Sequence, residues 1–261
     1  MQTALTIAGS DSGGGAGIQA DLKTFAAHGV YGTTAITAVT AQNTLGVRSW
    51  LALPPEIVVA QIEAVVEDFG ADATKIGMLA NAAIARAVAH ALDRLALPHV
   101  VLDPVMIAKG GDRLLDEDAV EVIRAELLPR AEVVTPNIPE AEVLAGMAIR
   151  TRDDVRAAAH RLSALGPAVV VVKGGHAEGE EAVDVAVFGG AVVEIAGPRV
   201  ASRHTHGTGC TLSSAIAANL AKGMPVEAAL RAAREYLTGA IRHAPGIGRG
   251  HGPLGHLWRV Y

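Results

Sequence analysis

The sequence has little cysteine, few aromatic side chains and no long hydrophobic run. Cys210 is the only cysteine among 261 residues, so the chain cannot form an internal disulfide, which fits a reducing cytoplasm. Aromatic residues make up 3% of the chain. Apolar runs such as VVVV at 169–172 are far shorter than the ~20 residues that a membrane-spanning helix needs. No basic segment followed by an apolar run begins the chain, so we expect no secretory signal and no membrane partner.

Basic charge is also not in excess. The chain has 22 lysines and arginines against 27 acidic residues, a net charge of −5, so no general basic field favours nucleic acid. Local basic patches stay possible. Hydrophobic residues are 50% and charged residues 19%, a globular composition that argues against a disordered chain. The composition therefore predicts a soluble cytoplasmic protein that does not act on nucleic acid.

Short β-branched runs alternate with longer alanine-rich segments. The predicted strands are 4–8, 33–40, 73–78, 99–103, 132–136 and 168–173, with weaker candidates at 47–53, 182–188 and 191–196. The predicted helices are 16–28, 55–69, 81–95, 116–128, 139–145, 153–164, 209–222 and 225–243. Several strands are apolar throughout, which is typical of a parallel sheet covered by helices on both faces.

This alternation predicts an α/β sandwich with a mostly parallel central sheet. No linker or repeat divides residues 1–261, so we expect a single domain. The segment 39–57 is predicted to form a small flap, and 182–196 a hairpin around Gly189 and Gly190. Ligands of such sheets bind beyond the carboxyl ends of the strands, so the functional residues should follow strands.

The first predicted strand leads into the glycine-rich stretch GSDSGGGAGIQADLKTF (9–25). Its five glycines permit positive φ and leave backbone amides uncovered, which favours close approach to a ligand over a simple turn. The spacing matches neither a Walker A motif nor a dinucleotide-binding fingerprint. Asp21 lies in the first turns of the following helix, either as a ligand contact or as a solvated carboxylate.

Polar residues follow other predicted strands. Gln42 can donate and accept hydrogen bonds together, which suits a heteroaromatic ring with a nitrogen beside an amine, although an ordinary loop role is the alternative. Asp103 stands in a crevice position, with a turn or capping role as its alternative. Lys173 ends the VVVV strand before a glycine turn, where it can meet a phosphate.

Asn137 and Glu140 are three residues apart at the start of a predicted helix. This spacing fits a capping box, in which Asn137 is the N-cap. It equally fits Glu140 as a direct or outer-sphere ligand of a magnesium–phosphate complex.

The stretch HTHGTGCTLSSAIAANL (204–220) contains the single cysteine. Gly207, Thr208 and Gly209 can present free amides, and the helix after them adds its dipole, so they predict an anion-binding cavity. Cys210 lies in the first helical turn, where the pKa of a thiol tends to be lowered. The alternative is a small buried apolar cysteine.

Taken in order, these stretches resemble the ribokinase superfamily, and within it the hydroxymethylpyrimidine and phosphomethylpyrimidine kinases of thiamine biosynthesis. The stretches that carry the resemblance are AGSDSGGGAGIQADLKTF (8–25), ITAVTAQNTLGV (36–47), TKIGML (74–79), VVLDPVM (100–106), TPNIPEAE (135–142), VVKGGH (171–176), HGTGCTLSSAIAANLA (206–221) and GHGPLGHLW (250–258). They cover almost the whole chain, and the ordered set is far more specific than any one of them.

The resemblance implies a ribokinase-like three-layer α/β/α sandwich that uses ATP and Mg²⁺. It implies phosphorylation of 4-amino-5-hydroxymethyl-2-methylpyrimidine to its monophosphate and then to its diphosphate. The pyrimidine site implied by the resemblance consists of Gly9, Ala16, Asp21, Gln42, Met78 and Val105. Asp103 and Glu140 would be the acids on the magnesium side. Asn137, Lys173 and Thr208 would contact the nucleotide phosphates.

By the same resemblance, Cys210 with Gly207 and Gly209 would form the catalytic centre, and the enzyme would be a homodimer. Many relatives in the superfamily have an aspartate at the cysteine position, where it acts as the base on the substrate hydroxyl. A Cys210 thiolate could take that proton. Because phosphoryl transfer depends chiefly on positioning and charge neutralisation, a weak base would suffice.

Three other functions stay open at this point. Pyridoxal kinase is the nearest, because pyridoxal is also a hydroxymethyl heteroaromatic, although Gln42 and Met78 favour the aminopyrimidine. A protein that only binds thiamine precursors or nucleotide would not need Asp103, Glu140 and Lys173 together. A dinucleotide oxidoreductase shares the fold class but requires a fingerprint that this sequence lacks.

Overall fold

Nine strands form one sheet in the computed structural model, which describes residues 1–107, 114–174 and 181–260. The strands are β1 (Thr3–Asp11), β2 (Tyr31–Asn43), β3 (Gly46–Ala52), β4 (Ala73–Ile76), β5 (Val100–Leu102), β6 (Val133–Val134), β7 (Val169–Val172), β8 (Glu181–Phe188) and β9 (Ala191–Pro198). Every predicted strand is therefore confirmed. Gly175 and His176 of the VVKGGH stretch lie outside the described residues.

The predicted helices are also confirmed. They are α1 (Gly17–Ala27), α2 (Pro55–Asp68), α3 (Ala82–Arg94), α4 (Glu117–Val122), α5 (Ile138–Ala145), α6 (Arg152–Ser163), α7 (Thr208–Ala221) and α8 (Val226–Arg242). Helix α4 is shorter than predicted because the chain widens into a π turn (Ile123–Leu127) and then tightens into a 3₁₀ turn (Leu128–Arg130). No helix in the described ranges is long and apolar enough to cross a membrane.

The sheet order is β3-β2-β1-β4-β5-β6-β7-β8-β9. Strands β1, β2, β4, β5, β6 and β7 run parallel, whereas β3, β8 and β9 join antiparallel at the two edges. The predicted mostly parallel sheet is therefore correct. Because the six parallel strands point the same way, the segments that follow them meet at one edge of the sheet.

Alternate residues of the strands pack on opposite faces of the sheet. Leu5 and Ile7 of β1 enter a core that includes apolar residues of α2, α3, α5 and α6. Ala4 and Val171 enter a second core, formed mainly by α1, α7 and α8. Two apolar cores on either side of one sheet give the three layers that the sequence predicts.

Strand β1 and the two edges of the sheet refine the predicted boundaries. Strand β1 continues to Asp11, because Ser10 and Asp11 still pair with β2 after a register shift at Gly9. The predicted flap is β3, which pairs antiparallel with β2 and so forms an edge of the sheet itself. The predicted hairpin joins β8 to β9, and its turn residues Gly189 and Gly190 have φ of 52° and 88°.

Candidate active site

A cavity of about 850 Å³ lies where the parallel strands end. It extends from Gln42 near the end of β2, past Cys210 at the start of α7, to Arg234 on α8. Thirteen of the fourteen predicted site residues line it: Gly9, Ala16, Gln42, Met78, Asp103, Val105, Asn137, Glu140, Lys173, Gly207, Thr208, Gly209 and Cys210. The topology therefore brings together residues as far apart in the sequence as Gly9 and Cys210.

Asp11 organises the first glycine-rich loop, a role that the sequence analysis missed. Its Oδ1 accepts a hydrogen bond from the Gly13 amide (2.7 Å), and its Oδ2 accepts from the amides of Gly15 (3.0 Å) and Ala16 (2.8 Å). His206 Nε2 lies 2.8 Å from the same Oδ2. Burial alone would raise the pKa of Asp11, but the bonds to His206 and to the amides lower it overall. The loop is therefore wrapped around an ionised carboxylate.

Gln42 lies at one end of the cavity, beside the same pair. Its side-chain Nε2 is 3.4 Å from His206 Nε2, and its Oε1 is 3.2 Å from the Thr40 hydroxyl. Met78 lines the same region, and a Cβ at Gly9 would lie 2.9 Å from Met78 Sδ. Glycine at position 9 thus leaves room for Met78 against the strand.

Lys173 joins two buried carboxylates at the centre of the cavity. Its Nζ donates to Asp103 Oδ1 at 2.8 Å and is 3.9 Å from Glu140 Oε2. Burial raises the pKa of Glu140 to about 7, with Asp103 adding to the rise and Lys173 opposing it. The two acids therefore form a negatively charged pair for which one lysine is an incomplete counterion.

The capping box predicted for the segment after β6 is present. The Asn137 side chain accepts from the Glu140 amide at 2.9 Å, and Glu140 Oε2 accepts from the Asn137 amide at 2.8 Å. One oxygen of Glu140 is thus engaged by the start of α5. The same contact turns the carboxyl group toward Lys173 and the cavity.

The start of α7 faces this charged cluster. Gly207, the N-cap, has φ of 84°, and a Cβ there would overlap the carbonyl oxygen of Gly15. A Cβ at Gly209 would lie 3.1 Å from Asp103 Oδ2 and 3.3 Å from Lys173 Nζ. The first amides of a helix have no partner within the helix, and they attract anions. Glycine at both positions lets these amides approach the cluster closely.

The expectation of a lowered thiol pKa at Cys210 is wrong. Cys210 is half-buried and lines the cavity at the first turn of α7. Burial raises the pKa of its thiol to about 11, and Asp21 and Asp103 add to the rise, whereas Lys75 lowers it. The helix start and the lysine are therefore outweighed by desolvation and by the neighbouring carboxylates. The thiol is protonated at neutral pH.

Asp21 is the one predicted site residue that does not line the cavity. Its Oδ2 accepts from Thr6 Oγ1 (2.7 Å) and from Lys75 Nζ (2.8 Å), and its Oδ1 accepts from Ser214 Oγ (2.6 Å). Both charged side chains are fully buried. Burial alone would lower the pKa of Lys75, but Asp21 raises it, with Cys210 and Asp103 contributing. Asp21 thus holds Lys75 at the cavity wall.

The opposite end of the cavity contains a buried ion pair between Arg234 and Asp184, which the sequence analysis also missed. Arg234 Nη1 is 3.2 Å from Asp184 Oδ2, and the other carboxylate oxygen accepts from the Gly174 amide at 2.9 Å. Burial raises the pKa of Asp184, and Arg234 opposes that rise. Arg234 Nε is buried without a hydrogen-bond partner in the described part of the chain. An acidic residue inside an apolar strand was the available signal, as was Lys75 in β4.

The model of the phosphomethylpyrimidine kinase family matches residues 11–255. This chain belongs to that family. A hydroxymethylpyrimidine/phosphomethylpyrimidine kinase of Haemophilus influenzae is 51% identical over 260 residues, covering 98% of this chain and 97% of the relative. A bifunctional thiamine biosynthesis protein of Geobacter sulfurreducens is 50% identical over 253 residues. This chain spans about half of that relative, 52% of its length.

The fold of this family member also matches a solved structure. A pyridoxal kinase of Bacillus subtilis, crystallised as an ADP complex, superposes with a TM-score of 0.93 at 40% identity and covers 100% of both chains. The predicted ribokinase-like fold is therefore confirmed, and the chain is a kinase of the phosphomethylpyrimidine kinase family.

Proposed function

We propose that this kinase transfers the γ-phosphoryl group of ATP to 4-amino-5-hydroxymethyl-2-methylpyrimidine and then to the resulting monophosphate. The observation that carries the proposal is one continuous cavity, with Gln42 at one end and the cluster of Lys173, Asp103 and Glu140 beyond Cys210. Such a cavity suits a ring at one end and phosphates at the other. The names of the full-length relatives favour the same two-step reaction.

The pyrimidine binds at the end lined by Gly9, Ala16, Gln42, Met78 and Val105. The Gln42 amide reads the ring nitrogen and the exocyclic amine, because a single amide presents one donor and one acceptor side by side. Met78 and Val105 provide the apolar contact for the ring faces. The hydroxymethyl group then points toward Cys210, at the start of α7.

The triphosphate binds across the start of α7 and Lys173. The amides of Gly207, Thr208 and Gly209 stabilise the charge that develops on the transferred group, and the Lys173 ammonium neutralises the remaining phosphate oxygens. Asn137, joined to Lys173 by a β-bridge, contacts the phosphates from the other side. The rest of the nucleotide extends toward Arg234 and Asp184.

Asp103 and Glu140 fit a magnesium ion. Their oxygens are hard ligands, and both side chains are at least 93% buried from solvent. Glu140 has a raised pKa, and Lys173 is an incomplete counterion for the two acids. No group of three or more potential metal ligands exists among the described residues. Mg²⁺ usually takes only one or two carboxylates together with substrate phosphates, so two acids are sufficient. When bound, the ion neutralises charge on the phosphates.

Cys210 has different work in the two transfers. In the first, the substrate hydroxyl oxygen attacks the γ-phosphorus, the bond to the β-phosphate oxygen breaks, and ADP leaves with the electron pair. The hydroxyl proton passes to the Cys210 sulfur, which must reach its thiolate form first. In the second transfer the acceptor is an ionised phosphate oxygen, which carries no proton to remove.

A second candidate function is phosphorylation of pyridoxal. The similarity to the Bacillus subtilis pyridoxal kinase favours it. Steady-state ADP release with Mg²⁺ and ATP, measured separately with the pyrimidine, its monophosphate and pyridoxal, separates the two functions. Turnover of both pyrimidines supports the proposal, and turnover of pyridoxal alone refutes it. Binding of the pyrimidine without any ADP release would instead favour a non-catalytic protein.

We also propose that the kinase is a cytoplasmic homodimer. Strand β3 is an edge strand, and Leu45, Trp50 and Leu51 on and beside it are large exposed apolar side chains. An exposed apolar edge favours pairing with a second copy. Light scattering should give twice the chain mass of 26.7 kDa, and Leu51→Asp should shift it toward the monomer. A monomer for the unmodified chain would refute the dimer.

A further inference from the structure

The first observation concerns the hydrogen on the Nε2 atom of His206. Asp11 is ionised, since its pKa is lowered and its oxygens accept amide hydrogen bonds from Gly13, Gly15 and Ala16. His206 Nε2 is 2.8 Å from Asp11 Oδ2. A carboxylate can only accept, so Nε2 must carry the hydrogen. His206 Nε2 therefore has no free lone pair, and its one hydrogen is donated to Asp11 Oδ2.

The second observation concerns the Gln42 amide. Its nitrogen is 3.4 Å from His206 Nε2, where two donors would face each other. Its oxygen is 3.2 Å from Thr40 Oγ1, while the same hydroxyl is 3.0 Å from the Ser10 carbonyl oxygen. The hydroxyl has one hydrogen, and the shorter contact to Ser10 takes it. Rotating the amide by half a turn removes both mismatches. Its NH₂ then donates to Thr40 Oγ1, and its oxygen faces the positive end of the His206 N–H dipole, while the hydrogen itself stays donated to Asp11 Oδ2.

The direction of this amide decides which ring edge it can read. A 4-aminopyrimidine presents a ring-nitrogen acceptor beside an amine donor, so it needs the amide N–H opposite the ring nitrogen. The corresponding 4-oxo ring presents a ring N–H donor beside a carbonyl acceptor, so it needs the amide turned the other way. A site with a fixed amide therefore binds one ring. With the other ring, donor would face donor and acceptor would face acceptor.

We infer that His206, held by Asp11, is a positioning residue that fixes one direction of the Gln42 amide and so makes the kinase select the amino ring over its oxo counterpart. The inference rests on the proposed function and adds the residue that sets its substrate selectivity. Thr40 is the second anchor of the amide. His206 lines the same cavity, and the selectivity acts through its contact with Gln42.

The test compares kcat/KM for 4-amino-5-hydroxymethyl-2-methylpyrimidine and for its 4-oxo analogue. The unmodified enzyme should prefer the amino ring by roughly a thousandfold or more, since a site built to hydrogen-bond one group rejects a mismatched one strongly. His206→Phe keeps a ring but removes the N–H. We expect the preference to fall about tenfold or more, because the freed amide can turn to either ring. KM for ATP should change less than threefold.

A double-mutant cycle distinguishes positioning from a merely structural role. In a Gln42→Ala background, His206→Phe should no longer change the ratio of the two kcat/KM values, because the amide it orients is gone. His28→Phe, a histidine replacement outside the cavity lining, should leave the ratio unchanged in both backgrounds. If His206→Phe does not fold, Thr40→Val removes the other anchor and should lower the same ratio.

Each outcome of these kinetic measurements either supports or overturns the inference. An unchanged ratio in His206→Phe, or an equal fall of the ratio in the Gln42→Ala background, overturns the inference. Equal losses with both rings and with ATP also overturn it, because they indicate damage to the glycine-rich loop. If the unmodified enzyme phosphorylates neither pyrimidine, the proposed function itself fails, and the variants are not needed to reach that conclusion.

Discussion

The buried pair of Asp21 and Lys75 provides a prediction with a defined magnitude. Asp21→Asn keeps the shape of the side chain but removes the negative charge from a site where both partners are fully buried. Breaking a buried ion pair from one side costs about 3–5 kcal/mol, because the remaining charge has no counterion. Asp103 also favours the charged form of Lys75, so we expect a value near the lower limit. For a chain of this size, ~3 kcal/mol lowers Tm by about 10 °C.

Urea unfolding followed by circular dichroism measures this free energy. Two variants serve as comparisons. Glu227→Gln breaks the exposed pair with Arg231 and should cost less than about 1 kcal/mol. Asp21→Asn combined with Lys75→Met removes both charges and should recover most of the lost stability. A loss below about 1 kcal/mol for Asp21→Asn alone, or no recovery in the double variant, would refute the reasoning.

Three further predictions concern the cavity. Cys210→Ser should slow the first phosphorylation at least tenfold more than the second. In the unmodified enzyme, the rate of the first phosphorylation alone should rise between pH 7 and 9, about tenfold per pH unit, because the thiol pKa is about 11. Gly207→Ala should lower both kcat/KM and Tm, since its Cβ overlaps the Gly15 carbonyl oxygen. Lys173→Met should reduce kcat by a hundredfold or more while the pyrimidine KM changes little, because it removes only the phosphate-side charge.

These predictions have direct controls. Identical pH profiles for the two phosphorylations would contradict a base role for Cys210. Gly223 also has a positive φ, 77°, but a Cβ there meets nothing within 4 Å. Gly223→Ala therefore measures the backbone strain alone, and an equal effect of Gly207→Ala would contradict the importance of the contact between the two glycine loops. A large rise in the pyrimidine KM of Lys173→Met would indicate that this lysine contacts the pyrimidine, which would contradict its assignment to the phosphates.

Most of the fold and most of the cavity lining could be predicted from the sequence for one physical reason. Consecutive apolar strands separated by helices pair in parallel, and parallel strands direct the residues that follow them to one edge. Asp103 and Lys173 are 70 positions apart and still form a 2.8 Å contact. The alternation of strand and helix was enough to predict that they share a site.

The interactions between the loops could not be predicted in the same way. Asp11 and His206 are separated by 195 positions, and nothing in the local pattern of either residue indicates a partner. Asp21 resembles a surface carboxylate of a helix, because burial by Lys75 and Ser214 depends on the packing of α1 against β4 and α7. The pKa of Cys210 depends on the same burial, so a helix-start argument alone gave the wrong direction.

The most direct test of the central claim is to follow one reaction mixture by ³¹P NMR. Purified protein with Mg²⁺, excess ATP and the hydroxymethylpyrimidine should produce a monophosphate signal that rises and then falls as a diphosphate appears, with two ADP formed per pyrimidine consumed. Accumulation of the monophosphate with one ADP per pyrimidine would contradict the second transfer. Absence of any phosphorylated pyrimidine, while a parallel mixture with pyridoxal in place of the pyrimidine is converted, would contradict the account as a whole.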